Sequence, residues 1–153
     1  MSALPPLLPY LTVSDGAAAI EFYKKAFGAV EHELHHAPGS TKIMNACLSI
    51  NGGVFMLSDD FSAQYGGTCS TPEALGGSPV TLHLQVEDVD AAWAKAVAAG
   101  AIVTMPLADQ FWGDRYGQMK DPFGHKWSMA QNKVSLTKSE IEEAAKTSFK
   151  MQV

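Results

Sequence analysis

One phrase is written twice in this chain. An alternating stretch, Thr81-Leu82-His83-Leu84-Gln85-Val86, meets the acidic pair Glu87 and Asp88, runs through an alanine-rich segment around Trp93 and stops at Gly100. Its earlier copy is Leu8-Pro9-Tyr10-Leu11-Thr12-Val13, then Ser14 and Asp15, a segment through Phe27, and Gly28. Alternation with period two marks a half-buried strand, a short polar side chain before a 3.6-residue apolar repeat marks a helix start, and glycine supplies the left-handed stop. A strand and one amphipathic helix cannot bury their apolar faces alone, so two such units are constrained to share a core.

The rest of each unit reads as further strands. Ser14 or Asp15 caps the first helix, and Ala19, Ile20, Tyr23 and Phe27 form its buried stripe. Residues 29–34 make a second strand and residues 35–40 a turn. Residues 43–50 place Ile43, Asn45, Cys47 and Ser49 on a mixed face and Met44, Ala46, Leu48 and Ile50 on an apolar face expected to meet the helices. Asn51-Gly52-Gly53 is a hairpin turn, and the return strand sets Val54, Met56 and Ser58 on one side. Residues 59–79, rich in Gly, Ser, Thr and Pro, are either a functional lid or crossover or a plain solvated linker.

In the second unit Asp88 or Asp90 starts the helix, with Val89, Trp93, Ala96 and Val97 as its stripe. A strand at 102–105, a loop at 106–114 holding Phe111 and Trp112, and a hairpin at 115–129 around Pro122-Phe123-Gly124 follow. Thr137-Lys138-Ser139-Glu140 is a capping box that opens a tail helix with Ile141, Ala144, Ala145 and Phe149 as a modest stripe. So short a helix is expected to dock on the body or on a partner subunit. The expected class is α+β.

Composition excludes several functions. With 16 acidic against 11 basic side chains the net charge is −5, which disfavours a phosphate-binding surface and hence nucleic acid. No apolar run reaches membrane length, and Cys47 and Cys69 lack CxxC spacing, so a cytoplasmic protein with reduced thiols is expected.

Two strand–helix–strand–strand–strand units, together with Val86-Glu87-Asp88-Val89-Asp90, Trp112-Gly113-Asp114-Arg115-Tyr116-Gly117 and Lys120-Asp121-Pro122-Phe123-Gly124-His125-Lys126-Trp127, resemble the vicinal oxygen chelate fold, the glyoxalase/bleomycin-resistance superfamily, in its PhnB-like branch. The resemblance implies a domain at 5–133, with βαβββ modules at about 5–60 and 78–133 forming a cup-shaped mixed sheet with helices outside, and a helical tail at 134–153. It implies pairing of modules within or between chains, and a homodimer. Metal-dependent members carry a ligand on each opening strand and each last strand; carried here, those positions are Leu8, Met56, Thr81 and Ser128. That set lacks the imidazole or carboxylate that Zn, Fe, Ni or harder cations take, so no metal and no cofactor are expected. Asn45-Ala46-Cys47 stands where related proteins often read His-Ala-Glu, which removes two ionisable groups.

Alternation then predicts the lining of the cup: Tyr10 and Thr12 from the first module, His83 and Gln85 from the second, joined by Asn45, Cys47, Met56 and Ser128, all facing one cavity. His83 near a phenol suits oxyanion binding or acid/base work, or the two simply satisfy each other. Cys47 has no neighbouring cation in sequence to make it reactive. Trp112 and Arg115 form an aromatic-plus-guanidinium rim suited to flat or anionic ligands, unless Arg115 pairs with Asp114 or a helix carboxylate. His32 and Glu33 are expected on opposite faces of a solvated edge. A lining of few convergent ionisable groups points to a metal-independent small-molecule binding protein; the alternative is a lyase or isomerase acting on a small oxygenated substrate.

Overall fold

The structure, a computed structural model, describes residues 3–148. Along the chain run β1 (Tyr10–Val13), α1 (Gly16–Phe27), β2 (Val30–His36), β3 (Ile43–Ile50), β4 (Gly53–Asp59), α2 (Ser62–Tyr65) and α3 (Pro72–Leu75). The second half holds β5 (Thr81–Gln85), α4 (Val89–Ala99), β6 (Ile102–Asp109), β7 (Asp114–Lys120), β8 (Lys126–Asn132) and α5 (Lys138–Ser148). Two four-stranded mixed sheets result, ordered β1-β4-β3-β2 and β5-β8-β7-β6. In each, the opening strand pairs parallel with the last one. These are the two βαβββ modules of an α+β fold.

The repeat extends to single hydrogen bonds. Asp15 caps α1 by accepting from Ala18 N at 3.0 Å, and Asp88 caps α4 by accepting from Ala91 N at 3.1 Å. Gly16 N donates to Asp59 Oδ1 at 2.7 Å; its counterpart Val89 N donates to Gln131 Oε1 at 3.1 Å. Each last strand therefore anchors the start of its own helix. Gly28 at φ 67° and Gly100 at φ 117° end the helices in a conformation that side chains resist.

Both sheets turn their helix-bearing faces to one core. Helix α1 packs on α4. Phe55 of β4 and Trp127 of β8, equivalent under the repeat, meet with ring centroids 6.0 Å apart, and Tyr23 and Phe27 of α1 lie against Trp127 at 5.4 and 4.5 Å. Asp121, buried in the β7–β8 turn, ties this cluster together. Its Oδ2 accepts from Tyr23 Oη at 2.6 Å and Trp127 Nε1 at 2.9 Å, and its Oδ1 from Phe123 N and His125 N at 2.9 and 3.0 Å. Burial first, then the Asp121 charge, push the Tyr23 phenol well above the ordinary tyrosine range.

Four expectations change. Ile43 is 1% exposed and Met44 49%, the reverse of strict alternation. One step of β2, from His35 to His36, spans two on β3, from Asn45 to Ile43, so Met44 is the extra residue of a bulge. A second irregularity lies between Glu31 and Glu33. It puts His32 and Glu33 on the same face: His32 Nε2 lies 2.7 Å from Ser49 Oγ, and Glu33 pairs with Cys47. Strand β6 runs on through Pro106 to Asp109, where a loop was expected; as an edge strand with register shifts it tolerates the missing N–H. In the tail, Thr137 and Glu140 form the expected box, each side chain reaching the other's backbone N–H at 3.2 Å, yet α5 buries no residue; Phe149 lies outside the described residues.

Asp121→Ala strands two side-chain donors and two backbone N–H groups in the core, so it should lower unfolding free energy by roughly 3 kcal/mol or more, measured by urea denaturation. Tyr23 stays protonated in the fold after unfolded tyrosine ionises, so its contribution is complete below pH of about 10 and lost above it. The Tyr23→Phe protein should therefore lose less stability than the parent between neutral and strongly alkaline pH.

Candidate functional site

The face of each sheet opposite the helices carries the polar side chains. On the second module, directly paired residues share a face, and the pairs His83 with Ser128, Gln85 with Ala130, Gln118 with Ser128 and Tyr116 with Ala130 define one connected surface. His83 is at its centre. Its Nδ1 lies 2.7 Å from Ser128 Oγ and its Nε2 2.9 Å from Gln85 Oε1. The tautomer with the proton on Nε2 satisfies both contacts, since Gln85 Oε1 accepts and the Ser128 hydroxyl then donates to Nδ1. Ser128 is 2% exposed and so reaches a ligand only through His83. The imidazole stacks on Tyr116 at 6.0 Å, Trp112 meets Tyr116 edge-on at 5.5 Å, and Gln118 Nε2 donates to Tyr116 Oη at 2.9 Å. A hydrogen-bonding ring is thus held beside an aromatic bed.

The first module repeats the plan with other residues. Tyr10, the counterpart of His83, is 51% exposed; its hydroxyl accepts from Asn45 Nδ2 at 2.9 Å. Asn45 Nδ2 also lies 3.4 Å from Met56 Sδ. Met56 pairs with both Tyr10 and Cys47, which places all three on this face. Cys47 is nevertheless buried, and burial, helped by Glu33, pushes its thiol up, which disfavours a nucleophilic thiolate. Thr12 contributes its backbone: its carbonyl accepts from His125 Nε2 at 2.9 Å.

The structure therefore brings the named residues together in two groups: His83, Gln85, Ser128 and Trp112 on one module, and Tyr10, Asn45, Cys47 and Met56 on the other. A crevice of about 350 Å³ where the modules meet is bordered by Pro9 and Val54 on one side and by His83 and Gln85 on the other; Tyr10, Asn45, Cys47 and Met56 do not line it. Arg115 does not join either group. It lies on the helix side of β7, with Nε 2.9 Å from Asp90 Oδ1 of α4 and Nη1 3.3 Å from Asp109 Oδ1, and the Asp90 hydrogen bond foremost raises its pKa further. The aromatic-plus-guanidinium rim is corrected accordingly: alternation turns Tyr116, not Arg115, toward Trp112. Trp112 Nε1 itself donates to Asp114 Oδ2 at 3.0 Å. Sequence reading missed Tyr116 and Gln118, although the same alternation from Asp114 onward selects them.

The metal-ligand positions of the resembled fold do not fit a metal here. Ser128 is committed to His83, Met56 offers a thioether to Asn45, and Leu8 has no donor atom. Among the described residues no group of three or more His, Cys, Asp or Glu is placed to hold one. Residues 6–129 match the family model described as the Glyoxalase/Bleomycin resistance protein/Dioxygenase superfamily.

The chain belongs to that superfamily. It is 51% identical over 141 residues to an uncharacterized protein of Mycobacterium tuberculosis, covering 92% of this chain and 82% of that one. Among solved structures, the Arabidopsis thaliana gene product At5g48480 is similar with a TM-score of 0.64 and 32% identity, over 84% of this chain and 99% of that one. The PhnB protein of Bacillus cereus shares the fold, with a TM-score of 0.63 at 18% identity over 83% of this chain and 99% of that one. No helix among the described residues is long and apolar enough to cross a membrane.

Elemental analysis of untagged protein purified without chelator should find no Ni, Zn, Fe or Mn near one per chain. Stoichiometric metal would show that the Leu8, Met56, Thr81, Ser128 set is supplemented by ligands elsewhere.

Proposed function

We propose that this member of the glyoxalase/bleomycin-resistance superfamily is a metal-independent, cytoplasmic binding protein for a small, partly apolar, oxygenated molecule. The observation that carries the reading is the His83 arrangement: an imidazole fixed by Ser128 and Gln85 beside Tyr116 and Trp112. A planar ligand would lie on the aromatic bed and displace Gln85 from His83 Nε2, taking that N–H with a carbonyl or carboxylate oxygen. Apolar rings with a few placed polar groups are what small-molecule sites present. Tyr10, Asn45 and Met56 offer a second wall at the equivalent place, built of other groups.

A homodimer supplies the geometry. Because the helix-bearing faces share a core within one chain, each open face needs its opposite wall from elsewhere, and the other module of a second copy, a sheet of the same four-stranded order, can supply it. The described part of the tail, residues 134–148, is then an accessory outside the binding face, since α5 contributes nothing buried to either sheet. One observation favours the lyase or isomerase reading: if His83 acts as an acid/base group, Ser128 is positioned to hold its tautomer.

A thermal-shift and titration screen of planar carbonyl compounds, with bleomycin tested separately, tests the reading. For any compound that binds, His83→Ala should leave the fold intact and weaken binding by roughly 0.5–1.5 kcal/mol, more if the ligand is charged. Unchanged affinity would remove His83 from the site. Light scattering that gave only a 16.4 kDa species at micromolar concentration would reject the dimer. Truncation after Lys133 should lower stability and spare binding.

A further inference from the structure

The internal repeat creates two clefts where the modules meet on the helix side, and the chain fills only one. In the filled cleft Phe22 and Phe123 are buried, with ring centroids 6.3 Å apart. The crossover turn seats buried Pro72 over Gly124, so closely that a Cβ on that glycine would lie 2.6 Å from Pro72 Cβ. The repeat carries Phe22 onto Lys95, Phe123 onto Asn51 and Gly124 onto Gly52. Nothing lies within 4 Å of a Cβ built on Gly52. The second cleft is accordingly open, with a volume of about 460 Å³, and Phe27, Leu84, Val86 and Met129 are among its lining residues together with Asn51 and Lys95. Two aromatic rings and a proline have been exchanged for an amide, an ammonium and space.

That space is of ligand size. Among the described residues Lys95 makes no hydrogen bond or ion pair, and its ammonium lies beside Gly28 at the end of α1. Asp88, which also lines the cleft, is engaged in capping Ala91 N, while Glu87 is exposed on the wall. We infer that this cleft is a second small-molecule site, separate from the open sheet faces, and that it takes an aromatic monocarboxylate. The ring system occupies the volume that Phe22 and Phe123 fill in the sister cleft. The carboxylate accepts from Lys95, a charge-assisted bond stronger than a neutral one. A second negative charge on the ligand would meet Glu87, which favours one carboxylate over two.

The probe is 2-naphthoate, compared with neutral 2-naphthamide and cationic 2-naphthylmethylamine, on the full chain by amide chemical-shift mapping. The expected result is a saturable shift at Val86, Ala92 and Lys95, with the carboxylate about tenfold tighter than the amide and the amine weakest. Lys95→Met, a change at an exposed helix position, should erase the preference for the carboxylate. Equal binding of all three compounds, no saturable shift, or shifts confined to His83 and Tyr116 would overturn the inference. The two sites report through different amides, so failure of ligand binding on the open faces is distinguishable from failure here.

Discussion

One carboxylate holds the two halves in their relation. Asp121 receives four donors, two of them aromatic side chains and one of those, Tyr23, from the other module. Burying a charge is unfavourable unless its lone pairs are filled, and here they are. The consequence reaches beyond stability. With Tyr23 fixed, α1 lies on α4, Phe55 meets Trp127, and the helix-bearing faces become the shared interior. The polar faces are thereby committed to the outside of the chain.

The same logic operates at lower stakes in Asp59. It accepts from Gly16 N and Ile43 N and so joins the start of α1 to β3. The second module uses Gln131, a neutral amide, for the equivalent bond to Val89 N. Chain positions related by the repeat thus keep a contact while changing its chemistry. That drift explains why Tyr10 with Asn45 and His83 with Tyr116 are equivalent in place yet different in character.

Much of the fold was legible because it rests on local signals. Asp15, Asp88, Gly28 and Gly100 bound their helices as short polar caps and left-handed stops require. What escaped depends on partners distant in sequence. Met44 and His32 sit at bulges, and an extra residue in a strand leaves no mark in the hydrophobic pattern of that strand alone. The face carrying His83, Gln85 and Ser128 was readable from period-two alternation. The place of Arg115 was not fixed by residue type, because an ion pair with a helix carboxylate and a ligand contact use the same guanidinium chemistry. Tyr116 was within reach of the same alternation, but only the pairing of β7 with β8 shows that its ring lies on the His83 side.

The two opening strands are each bonded on one side only, by β4 and by β8. Their outer edges are not left as bare templates. His125 donates to the Thr12 carbonyl on β1, and Asn51 donates to the Gln85 carbonyl on β5, so each module's hairpin turn interrupts the other module's exposed ladder. At the far ends, β2 is broken by its bulges and β6 by Pro106 and its register shifts. An interrupted edge is a poor seat for a foreign strand. Extension of either sheet by backbone pairing is thus discouraged at all four borders, and a neighbouring molecule is steered to meet this protein broadside.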